Sequence, residues 1–92
     1  MKLSKIKHLA EMLRKIKDFN DADGHSPTVI VWENERPPRL LVSAEDGGYF
    51  ADYYGEFRGG YPWIHPKLEA FAKQRNLMWE WENPGAISLW EN

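Results

Sequence analysis

Ninety-two residues, 42% hydrophobic and 14% aromatic, suffice for one small domain that buries about 60–65% of its unfolded surface. Cysteine is absent, which excludes disulfides, thiolate chemistry and cysteine zinc sites and agrees with a cytoplasmic location. The net charge of −2 conceals a segregation: residues 1–17 carry +5 and residues 18–92 carry −7, so a basic element precedes an acidic body.

Leu3, Ile6, Leu9, Ala10, Leu13, Ile16 and Phe19 recur at three- and four-residue spacing, one apolar stripe on a helix. The spacing predicts a helix over 4–18, with Ser4 as N-cap and Arg14, Lys15 and Lys17 near the end that favours cations. Asn20, Asp21, Asp23 and Gly24 end it. Thr28–Glu33 (TVIVWE) and Arg39–Ala44 (RLLVSA) are β-branched or apolar runs that read as strands, separated by a loop containing Pro37 and Pro38. Glu45-Asp46-Gly47-Gly48 supplies a turn, and Tyr49–Tyr54 reads as a third strand completing an antiparallel meander.

Gly55–Trp63 reads as an exposed loop. Pro66 suits the first turn of a second helix running to about Arg75, with His65 before it and Asn76 as a left-handed stop. The chain closes with LMWEWE, Asn83-Pro84-Gly85 and AISLW, a hairpin by pattern. A two-residue Pro-Gly turn sets Trp79 opposite Trp90 and Trp81 opposite Ser88, all on one face, with the three tryptophans in the core; a one-residue bulge moves Trp90 across. The expected fold is a single α+β domain over 1–92, order α-β-β-β-α-β-β, with two helices on one face of an antiparallel sheet.

Catalytic and metal patterns fail one by one. Placing Gly24 at the glycine position of a calcium loop puts Phe19 and Ile30 where oxygen ligands belong. His8, His25 and His65 fall in no zinc spacing. No serine sits in a G-x-S-x-G elbow, and the glycines form no phosphate loop. Asp52 and Glu56 offer a carboxylate pair, but nothing distinguishes an acid from a base. A non-enzyme without cofactor or metal is the expectation. No apolar run reaches membrane-spanning length, and MKLSKIKHL lacks the apolar centre and cleavage site of a signal peptide.

What stands out is Tyr49–Ile64, YFADYYGEFRGGYPWI, with all four tyrosines and seven of the thirteen aromatic residues. Tyrosine, tryptophan and arginine are enriched at binding hot spots because they present large, rigid, amphipathic area. Tyr53, Tyr54, Phe57, Arg58, Tyr61 and Trp63 are therefore the expected partner-binding set, and another protein is the expected partner. Small size, acidity and lack of cysteine are shared with phage and mobile-element inhibitors, anti-CRISPR proteins among them.

The alternative is RNA or single-stranded DNA, with Lys5, Lys7, Arg14, Lys15 and Lys17 on phosphates and exposed rings on bases. The element order resembles the opening of double-stranded RNA-binding domains, but Pro66–Asn76 offers only Lys67, Lys73 and Arg75 against Glu69. A homodimer through a sheet edge is a further expectation.

Overall fold

In the computed structural model, residues 1–16, 26–45, 49–55 and 62–92 are described. Their elements run α1 (Leu3–Arg14), β1 (Val29–Trp32), β2 (Arg39–Ser43), β3 (Ala51–Asp52), β4 (Trp63–Ile64), α2 (Pro66–Lys73), β5 (Leu77–Asn83) and β6 (Ala86–Glu91). Four strands form an antiparallel sheet in the order β1-β2-β6-β5, while β3 and β4 pair in a small separate ladder. This is the expected α+β arrangement with one short strand added. Among the described residues, no helix is long and apolar enough to cross a membrane.

The apolar stripe of α1 does what its spacing requires: Ile6, Leu9, Ala10 and Leu13 are buried. The helix begins earlier than expected, with Lys2 as N-cap and Ser4 already inside the first turn. The start is fixed by tertiary contact. Met1 packs against the core, and its ammonium group meets the Glu91 carboxylate at 3.1 Å. At the other end, Lys15 and Ile16 close onto Met12 and Leu13 through tighter three-residue hydrogen bonds. Lys17, Phe19 and the expected Asn20–Gly24 stop lie outside the described residues.

Helix α2 follows its sequence signals more closely. Pro66 occupies the first turn, His65 Nδ1 accepts from the Lys67 amide at 3.0 Å, and Asn76 stands at φ 57° beyond the end. His65 thus caps the helix despite being a weak N-cap by type, because burial holds its ring in place.

Both helices pack on the same face of the sheet. Their buried residues join Val29, Leu40, Val42, Leu77, Ile87 and Leu89 in one core. Phe50 and Ala51 close its side. Trp79 is anchored there by its indole N–H, which donates to the Leu68 carbonyl of α2 at 2.7 Å.

Two sequence expectations are corrected. Tyr49–Tyr54 does not extend the sheet; only Ala51 and Asp52 are extended, and they pair with Ile64 and Trp63. The place beside β2 is taken by β6, so the meander stops at two strands. In the hairpin, Asn83 does face Ala86, but an irregularity between Trp81 and Asn83 shifts the register. Trp81 then faces Ile87, Trp79 faces Leu89 and Met78 faces Trp90. The extra residue, Glu82, sends Trp90 and Ser88 to the side away from the helices, while Trp79 and Trp81 stay with the core.

Candidate functional site

The expected partner-binding residues divide. Phe57, Arg58 and Tyr61 lie outside the described residues. Tyr53 is half-buried and packs edge-on against Trp81, ring centroids 5.1 Å apart. Tyr54 makes a second edge-to-face contact with Tyr53 at 5.1 Å and is 60% exposed, the most exposed of the large hydrophobic side chains described. Trp81, Tyr53 and Tyr54 therefore form a short ladder from sheet to solvent. The bend at Tyr53, past the end of β3, places Tyr54 outermost. Trp63 is half-buried with its ring 5.7 Å from that of His65. Asp52, directly across from Trp63, is buried.

The cations of α1 are exposed, yet some are already engaged. Lys7 pairs with Glu33 at 2.6 Å, and Arg14 lies 3.8 Å from Glu11 and donates to the Val29 carbonyl at 3.0 Å. Because the neighbouring Thr28 carbonyl accepts from the Ser43 amide, that of Val29 points to the outer edge of β1. Arg14 therefore occupies one acceptor on that edge. Lys5 and Lys15 carry no ion pair among the described residues. Lys17 lies outside them.

A second aromatic arrangement escapes the sequence reading. On the sheet face opposite the helices, Arg39 stands between Trp32 and Trp90, its guanidinium carbon 5.9 Å and 5.5 Å from the two ring centres. It also bonds Glu82. Beneath lie Leu41 and Ser88, both fully buried, although among the described residues both helices pack on the other side. The Trp90 indole donates to Ser88 Oγ at 2.7 Å. Ile30 and Met78, 39% and 37% exposed, flank the group.

Sequence could have suggested Trp32 and Arg39, which bracket the Asn34–Pro38 loop and pair across it. Trp90 joins them only through the bulge at Glu82. Among the described residues no cluster of histidine and carboxylates is arranged to hold a metal ion. Compared with protein-family models, curated proteins and solved structures, the chain matches none of them.

Proposed function

We propose that this protein acts by binding another protein, without catalysis of its own, through an aromatic corner centred on Tyr54. The supporting observation is the Trp81–Tyr53–Tyr54 ladder, which holds one tyrosine 60% exposed on a rigid base. An anchor held in place before binding loses little rotamer freedom on contact, and such residues cost ~2–4 kcal/mol when truncated at an interface. The half-buried Trp63 follows it in sequence, and Phe57, Arg58 and Tyr61, which lie outside the described residues, are included in the proposal on their residue types alone. Inhibition of a host component, as practised by phage and anti-CRISPR proteins, is one form this activity takes; size, acidity and lack of cysteine support that form only by composition.

The test is capture from native-host lysate on the immobilised protein, with nuclease present. Wild type is expected to retain a discrete protein that Tyr54→Ala loses. Identical capture by both, or none by wild type, overturns the reading.

Nucleic acid is the second reading, favoured by Lys5 and Lys15, exposed and unpaired among the described residues. Against it, Lys7 and Arg14 are engaged, and residues 18–92 carry −7. A gel shift at low and moderate salt decides: binding that falls steeply with salt supports it, and no shift at low salt removes it.

A further inference from the structure

We infer that the sheet face opposite the two described helices is a second docking surface and that its occupant is a basic, extended segment of a partner protein. It lies on the opposite side of the sheet from Trp81, on which the Tyr54 ladder rests, so it stands apart from that corner.

Four observations converge on this occupant. Two of the three exposed large hydrophobics described, Ile30 and Met78, lie on this face beside the half-buried Trp32 and Trp90. Arg39 is neutralised by Glu82, so the free charge of the face is Glu80, which is exposed and without an ion pair among the described residues. At the Trp32 end of β1 lies a recess of about 280 Å³ lined by Val31, Trp32, Glu33, Asn34 and Glu35; Val31 packs toward the core and Glu33 toward α1, so Glu35 is the acid of the recess left to this face. Glu33 is held by Lys7, while the Glu35 carboxylate carries no ion pair among the described residues; nor does the adjacent Arg36, whose guanidinium donates to the Glu35 backbone carbonyl. Finally, Arg39 itself displays the chemistry the face accepts: a guanidinium among indoles, closed by a carboxylate.

A second copy fits poorly. Four strands at ~4.8 Å spacing and roughly five residues of length present about 300 Å² each, so a symmetric pair buries about 600 Å², half the ~1,200 Å² of the smallest stable interfaces. The acids of the two copies would also oppose one another. A nucleic acid could stack on the indoles, but Glu80 and Glu35 would meet its phosphates. An extended segment alternating basic and aliphatic side chains suits the flat apolar strip and the acids around it.

The test is an NMR titration of ¹⁵N-labelled protein with a synthetic heptapeptide of alternating arginine and leucine, its glutamate-for-arginine counterpart, and an oligouridylate. The arginine peptide is expected to shift the Trp32 and Trp90 indole signals saturably and to bind about tenfold tighter than the acidic peptide. Glu80→Lys and Glu35→Lys are each expected to weaken it roughly threefold or more. Glu69→Lys on α2, a remote acid, and Tyr54→Ala are expected to leave it unchanged. The Tyr54→Ala result separates failure of this surface from failure of the aromatic corner. Equal binding of both peptides, tighter binding of the oligouridylate, shifts without the two indoles, or as large an effect from Glu69→Lys as from Glu80→Lys overturns the inference.

Discussion

Replacing Arg39 by alanine removes the centre of the sheet face opposite the two described helices, and its surroundings set the size of the effect. The side chains of Arg39 and Glu82 are 23% and 20% exposed, so neither the exposed nor the buried limit applies. Their pair lies between the ~0–1 kcal/mol of a surface bridge and the ~3–5 kcal/mol lost on breaking a fully buried one. Stacking against two indoles adds about 0.5–1 kcal/mol each. In the other direction, Arg39 Nε is buried without a hydrogen-bond partner, and removing it recovers about 1 kcal/mol. The net expectation for Arg39→Ala is a loss of about 2–3 kcal/mol, or roughly 10–20 °C in Tm for a domain of this size.

Glu82→Ala leaves the guanidinium stacked and partly solvated, so about 1–2 kcal/mol is expected. The double variant should fall short of the sum by about 1 kcal/mol. Arg39→Lys should behave more like Arg39→Ala than like wild type, because an ammonium lacks the planar fork that fits both the rings and the carboxylate. Urea unfolding followed by far-ultraviolet circular dichroism measures all four variants. Additivity within about 0.3 kcal/mol, or an Arg39→Ala cost below about 0.5 kcal/mol, would show that this cluster does not organise the face.

Two further outcomes follow from single contacts. Asn76→Ala is expected to cost about 1 kcal/mol because φ 57° disfavours a Cβ without a compensating polar group, while Asn76→Gly stays near neutral; thermal unfolding distinguishes them. Trp79→Phe removes the donor to the Leu68 carbonyl while keeping most of the ring, and should cost about 1–3 kcal/mol in chemical denaturation. A smaller loss than about 0.5 kcal/mol would mean that water replaces that bond without penalty.

Local signals carried much of the architecture. The stripe Ile6, Leu9, Leu13 marks α1 because a helix buries one face, and Pro66 and Asn76 mark α2 because each suits one end of a helix and little else. Strand partners were less legible. RLLVS buries Leu40, Leu41 and Val42 in succession, so its sequence has no alternation from which to assign faces. The β6 strand entering beside β2 is a non-local choice that Tyr49–Tyr54, with its rings and Gly55, could not disclose.

For the surfaces, the tyrosine-rich stretch offered Tyr53, Tyr54 and Trp63 alike, without separating them; Tyr54 is exposed, and Tyr53 and Trp63 are half-buried. The Trp32–Arg39–Trp90 group depends on register across three strands and on one bulge residue, Glu82. A period-two pattern read without that bulge puts Trp90 on the wrong side.

The most direct measurement is photocrosslinking at position 54. With Tyr54→p-benzoylphenylalanine irradiated in nuclease-treated lysate of the native host, a discrete protein adduct is expected. The same substitution at exposed Lys5 on α1 should give none. Adducts confined to position 5, or adducts seen only when nucleic acid is left intact, would contradict a protein-binding role for the aromatic corner.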